Sequence, residues 1–160
     1  MLKIKNRNQP QQTQRTSFDW KGTPEQLEKL YKQLKSKEHK FVAPQTNYKD
    51  FEKVFNGIEV KDIKNRIKWI NKPLTNKTTS INMATLFELF YLLKGKFLPE
   101  TNFDCNQHNK NNFYRKLKHC FETSIGEDLK DLRNKNTYQI KGNTAKAKEL
   151  ANIVAALETP

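Results

Sequence analysis

The chain is poor in the residues small proteins use as staples and hinges. It has two cysteines and five glycines in 160 residues. That is too little thiol for a disulfide framework, and no glycine-rich phosphate-cradling loop can be found. No stretch approaches the roughly 20 consecutive apolar residues that cross a bilayer. Met1 to Gln14 has no apolar segment of the kind that drives secretion. A nucleophile elbow and a His-Glu-x-x-His zinc motif are also missing. Asp19, Asp50, Asp62, Asp104, Asp128 and Asp131 are scattered, and their spacing marks no nuclease-type cluster. The expectation is a cytoplasmic protein that is not an enzyme, binds no cofactor and does not enter a membrane.

What is present is charge of one sign and a good supply of rings. Thirty Lys and Arg stand against seventeen Asp and Glu, a net charge of +13, with a sequence pI near 9.7. Such a surface attracts polyanions and gains counterion-release entropy on nucleic acid. Ten Phe, five Tyr and two Trp are enough aromatics to build a core, which a wholly disordered chain would not carry.

Residues 1–17 are rich in Gln, Asn, Lys and Arg and carry no acid, so they read as a disordered basic arm. Thr23-Pro24-Glu25-Gln26 then reads as a helix start, with Leu27, Leu30, Tyr31 and Leu34 at helical spacing. After an extended Phe41-Val42-Ala43, Thr46 or Asn47 caps a second helix through Phe55, and Gly57 ends it in the left-handed conformation. A third helix is expected over about 59–70, with Pro73 blocking its continuation.

The pattern then returns. Leu27-x-x-Leu30-Tyr31-x-x-Leu34-Lys35 matches Leu86-x-x-Leu89-Phe90-x-x-Leu93-Lys94. Phe41-Val42 is echoed by Phe97-Leu98, Tyr48–Phe55 by Tyr114–Phe121, and Asp62-Ile63 by Asp128-Leu129. The conserved order implies an internal duplication. The first helix of the second copy carries Phe87, Tyr91 and Leu92 where the first copy is polar, so it is expected to be buried on more than one side. A final helix over about 143–157 carries a small-residue stripe of Ala147, Leu150, Ala151, Val154 and Ala155.

On a helix over 59–70, Val60, Ile63, Ile67 and Ile70 form one face and Lys61, Lys64, Asn65 and Lys68 another. Following a helix and a glycine turn, that is the order of a helix-turn-helix, whose second helix enters the major groove. Asn binds adenine and Lys binds guanine or phosphate. Arg66, Lys72 and Lys77 are then the phosphate-holding flank. The same face also fits an ordinary solvated helix. In the second copy Glu127, Asp128 and Asp131 oppose phosphate, and Lys110, Arg115, Lys116 and Lys118 on the preceding helix suit contacts that position without specifying. Cys105, His108, His119 and Cys120 offer zinc-type ligands, but His119 and Cys120 are neighbours that diverge on a helix, so no metal site is expected.

Trp20-Lys21-Gly22-Thr23, Leu27, Leu30-Tyr31 and Leu34 resemble the start of the C-terminal region in the RteC family. These are regulatory proteins associated with conjugative transposons of Bacteroides-type bacteria. Leu86, Leu89-Phe90, Leu93, Phe113, Phe121, Ile125-Gly126 and Asp131-Leu132-Arg133-Asn134-Lys135 are similar to the same region again. The resemblance spans residues 18–142 and implies a winged-helix-like, DNA-associated bacterial protein carried on mobile DNA. The chain departs from that pattern in showing a short basic arm instead of a larger N-terminal domain.

The fold expected is mainly α with minor β content. It has two related three-helix modules of helix-turn-helix or winged-helix type over 18–80 and 81–142, and a C-terminal helix in 143–160 packing across them. The function expected is binding of double-stranded DNA, in a transcriptional or mobile-element regulator, through Lys61, Lys64, Asn65, Arg66, Lys68, Lys72 and Lys77, with a homodimer compatible. One alternative is a protein-interaction adaptor using the apolar helix 84–94; another is an RNA binder.

Overall fold

Thr23 opens the first helix as the sequence predicts. Its hydroxyl accepts from the Gln26 amide at 3.1 Å while the Gln26 side chain accepts from the Thr23 amide at 2.8 Å, a reciprocal cap that satisfies two end donors. This helix, α1, runs Pro24–Lys35 and buries Leu27, Leu30, Tyr31 and Leu34. Helix α2, Tyr48–Val54, is capped by Asn47, whose carbonyl oxygen accepts from the Asp50 amide at 2.9 Å. Gly57 follows with φ +64°. A Cβ at Gly57 would meet the Asp19 carboxylate at 2.4 Å, so both backbone and packing require glycine.

The computed structural model describes residues 15–71, 83–135 and 145–158. Among them are four further α-helices: α3 Met83–Leu93, α4 Phe113–Cys120, α5 Leu132–Lys135 and α6 Ala145–Ala156. A parallel pair of short strands, β1 Ile67–Lys68 and β2 Phe121–Glu122, has Ile67 opposite Phe121 and Lys68 opposite Glu122. The fold is therefore mainly α with minor β. No described helix is long and apolar enough to cross a membrane.

The third helix expected over 59–70 does not form. Val60–Asp62 makes a single 3-10 turn, and the chain then extends into β1. Ile67 and Trp69 are fully buried and Lys68 between them is not, a period of two, not 3.6. Backbone pairing decides it. Ala43 donates to the Lys68 carbonyl at 3.1 Å, Ile70 to Phe41 at 2.8 Å and Trp69 to Glu122 at 3.0 Å. The Trp69 indole donates to Thr85 on α3 at 3.1 Å, so its one polar atom is satisfied inside the core. In the matching stretch of the second copy Asp128 is bridged to Glu122, and the only helix described there is the four-residue α5. What recurs is smaller than a helix-turn-helix module. The Leu34 carbonyl accepts from Phe41 and Val42, and the corresponding Leu93 carbonyl accepts from Phe97 and Leu98. Asn112 caps α4 as Asn47 caps α2.

One apolar cluster runs through both halves. Phe18 lies 4.6 Å from Phe90 and 6.3 Å from Phe113 between ring centroids, and Phe55 lies 6.1 Å from Phe90. Helix α3 buries Met83, Thr85, Leu86, Phe87, Leu89, Phe90 and Leu93, as its all-round apolar pattern predicts. Helix α6 packs chiefly on α3 and also touches α1. Gln26 and Lys29 of α1 donate to the Leu157 and Ala156 carbonyls at its C-terminal end.

Residues 15–17, assigned by composition to the disordered arm, are part of this body. Segment 15–20 runs antiparallel beside 54–60, bridged at Thr16–Glu59 and Asp19–Asn56. Its anchor is Lys116 of α4. The ammonium donates to the Thr16 carbonyl at 2.9 Å, the Thr16 hydroxyl at 3.3 Å and the Ser17 carbonyl at 3.2 Å. Lys116 is buried, and burial pulls its pKa down. It is a structural group, not the phosphate contact its place in a basic helix suggests.

Two outcomes follow from these burials. Lys116→Met leaves those acceptors without their donor and is expected to cost about 1–3 kcal/mol, read as a lower midpoint in urea unfolding. The fully buried Cys120 thiol is pushed up to about 12, so the unfolded chain loses this proton at lower pH than the folded one. Stability is expected to fall between about pH 9 and 12, by up to roughly 1.4 kcal/mol per pH unit from this group. Cys120→Val, matching Val54 in the first half, removes that part of the slope.

Candidate nucleic-acid interface

Helix α4 turns its apolar residues Phe113, Leu117 and Cys120 inward, at the i, i+4, i+7 spacing of one helix face. Arg115, Lys118 and His119 are left on the outer side, partly or fully exposed. The chain leaves α4 directly into β2 and turns back through Thr123–Glu127. Gly126, at φ +83°, donates to the Thr123 carbonyl at 3.0 Å, and the Glu127 amide donates to the Thr123 hydroxyl at 2.9 Å. Leu129 and Leu132 are buried and pin the return segment, while Lys130, Asp131 and Arg133 stay exposed. Asp131 takes a positive φ of 55°, which turns the chain into α5.

Between α4 and this return segment lies an open groove of about 740 Å³. Arg115, Lys118, Lys130 and Arg133 line it, four cations against the carboxylates of Asp128 and Asp131. Gln107, Asn112 and Asn134 add amide groups. The Arg133 guanidinium sits 4.7 Å from the centroid of the Tyr114 ring, a cation–π contact that orders it without neutralising it.

Asp128 is already paired. Arg66 donates to it at 2.8 Å, meets Glu122 at 3.1 Å and reaches the Lys118 carbonyl at 3.3 Å. The Arg66 hydrogen bond and charge hold the Asp128 carboxyl below its ordinary range. Lys68 forms a second ion pair with Glu122. The root of the hairpin is thus fixed by two cations from the β1 segment gripping two carboxylates of the second half.

These pairings relocate the site read from the sequence. Lys61 is exposed and pairs with Glu59 at 3.2 Å, and Asn65 donates to Asp50 at 3.3 Å. Arg66 and Lys68 hold the hairpin, and Lys64 is exposed. The five do not form one face, because the helix that would have aligned them is absent. Lys72 and Lys77 lie outside the described residues. Arg115 and Lys118, legible as a basic i, i+3 pair, do line the groove. Lys130 and Arg133 were hidden among acids in the sequence, and the buried Leu129 and Leu132 are what bring them to the same opening.

The imidazole of His119 stands at the edge of this region. It lies one turn beyond Arg115 and next to Lys118 on α4 and is half-buried. Desolvation first, then the charges of Arg15, Lys118, Arg66 and Arg115, hold it below the ordinary histidine value. Of the other zinc-type candidates, Cys120 is enclosed in the core and Cys105 donates to the Phe103 carbonyl at 3.4 Å. Among the described residues no group of three or more His, Cys, Asp or Glu is placed to hold a metal.

Replacing Arg66 by Ala is expected to release Asp128. A carbon-detected NMR titration should show its carboxyl midpoint moving up toward the usual aspartate value, and an unchanged midpoint would contradict the pairing.

Compared with known proteins, the chain matches no sequence family, no curated protein and no solved structure.

Proposed function

We propose that the protein binds duplex DNA by its phosphate backbone, using the groove between α4 and the segment 128–134. The observation that carries this is the convergence of Arg115, Lys118, Lys130 and Arg133 on one opening, in a chain of net charge +13. Contacts of this kind position a protein on a duplex without reading its sequence. Arg133, held over Tyr114, is restrained before any ligand arrives. That lowers the ordering cost on binding. Regulation of a bacterial mobile element is the setting the family resemblance suggests.

The adaptor reading loses its best surface, because the apolar helix expected to meet a partner is α3, enclosed by this chain's own core. RNA is separated from DNA by competition, since A-form and B-form helices present phosphates and grooves differently.

The test is a salt titration of binding to a labelled random-sequence duplex. Four phosphate contacts give a slope of log K against log salt of about −3.6, from roughly 0.9 per neutralised phosphate. Lys118→Glu with Arg133→Glu is expected to weaken binding by at least about tenfold and to flatten the slope by about 2. Lys64→Glu is expected to leave both nearly unchanged. Full affinity in the groove variant would sink the assignment. Lys68→Glu is unsuitable as a probe because it sets two carboxylates against each other at Glu122.

A further inference from the structure

The two carboxylates that line the groove are not equivalent. Asp128 is held by Arg66 at 2.8 Å, so its charge is already met. Asp131 is exposed and has no hydrogen bond or ion pair among the described residues. Its backbone takes the left-handed conformation, with φ +55°, which Asp and Asn tolerate better than most side chains. Leu129 and Leu132 are buried on either side of it, which leaves Lys130, Asp131 and Arg133 as the exposed residues of this stretch. All three line the groove. An ionised carboxylate can only accept hydrogen bonds, while Lys and Arg can only donate them. An acceptor therefore stands between two donors.

A carboxylate in a phosphate-binding groove opposes every duplex alike unless some group of the DNA donates to it. The phosphodiester and deoxyribose oxygens within a strand carry no donor, so the donor must come from a base edge. In the major groove guanine shows the acceptors N7 and O6, thymine shows O4, and adenine shows N7 beside its N6 amino group. Cytosine shows its N4 amino group and no acceptor. It is the one base whose major-groove edge suits a carboxylate without also repelling it. Its partner guanine presents the acceptors that Lys and Arg meet. The order donor, acceptor, donor at 130, 131 and 133 thus complements a C·G pair better than an A·T pair.

We propose that Asp131 is a specificity-determining residue of the groove, whose carboxylate accepts from the N4 amino group of cytosine and selects a C·G pair at one position of the bound duplex. This rests on the reading of the groove as a DNA site. Arg115 and Lys118 on α4 supply affinity that is independent of sequence, and Asp131 supplies the discrimination. At an A·T pair the carboxylate is stripped of water and set against an acceptor, a penalty that works against the wrong partner.

The experiment measures binding of the full chain to three labelled duplexes of equal length at one salt concentration, with alternating dA·dT, dG·dC or dI·dC sequence. Inosine lacks only the minor-groove amino group of guanine, so dI·dC keeps the major-groove edge of dG·dC and the minor-groove edge of dA·dT. The wild type is expected to bind dG·dC and dI·dC alike, and about three- to tenfold more tightly than dA·dT. Asp131→Asn keeps the turn and removes the charge. It is expected to raise affinity for dA·dT about threefold or more, by ending a like-charge contact, and to bring the preference below about twofold. Asp131→Gly, which adopts a positive φ without strain, is expected to lose the preference in the same way and serves if the amide variant fails to fold. Equal wild-type affinity for the three duplexes, a preference that survives both substitutions, or a preference for dG·dC that dI·dC does not share overturns the role of Asp131 while leaving the groove intact. No binding to any of the three overturns the DNA reading and this inference with it.

Discussion

A single ammonium group, that of Lys116, links the beginning of the described chain to the second half. It donates to two backbone carbonyls and a hydroxyl of Thr16 and Ser17, and its hydrogen-bonding shell is made of neutral oxygens. Burying a charge is tolerable only where its donors are all met, and three acceptors from one turn of extended chain meet them. Segment 15–20 is thereby laid along 54–60, Phe18 is inserted between Phe55, Phe90 and Phe113, and Asp19 is brought to bond with Asn102. The same placement brings the Arg15 charge to bear on His119. Asn111 shares the task with Lys116, bonding the Thr16 amide at 3.1 Å and its hydroxyl at 3.3 Å.

The helices were legible wherever their signals were local. Thr23 with Gln26, Asn47, and Gly57 each act within four residues, and each behaves as its chemistry demands. The segment 59–70 was not legible because its decisive partners are remote in sequence. Its apolar residues at 60, 63, 67 and 70 fit a helix, and Ile67 and Trp69 also fit a strand. Backbone carbonyls at Phe41 and Glu122 choose between them. Tertiary pairing overrides a weak propensity in such cases.

The site was legible as composition and not as geometry. A surplus of lysine and arginine announces a polyanion partner but does not say which cations are free. Arg66 and Lys68 prove to be engaged by Glu122 and Asp128, residues more than fifty positions away. The acids that made the second half look hostile to phosphate are in part those same partners. Once Asp128 is held by Arg66, the groove keeps the cations of α4 and of 130–133 facing one carboxylate, Asp131, among its lining acids without such a clamp.

The pairing of β1 with β2 also bears on how the chain is made. Ile67 meets Phe121 and Thr16 meets Lys116, so neither seam can close until about a hundred residues have followed the N-terminal segment off the ribosome. At roughly 5–20 residues per second, that is on the order of 5–20 seconds. Until then Phe18 lacks Phe113, and Trp69, once made, lacks Phe121. The halves look like repeats in sequence, yet the first cannot complete itself before the second is synthesised. Closing the core waits on residues far along the chain, and until they emerge the rings of the first half lack part of their cover.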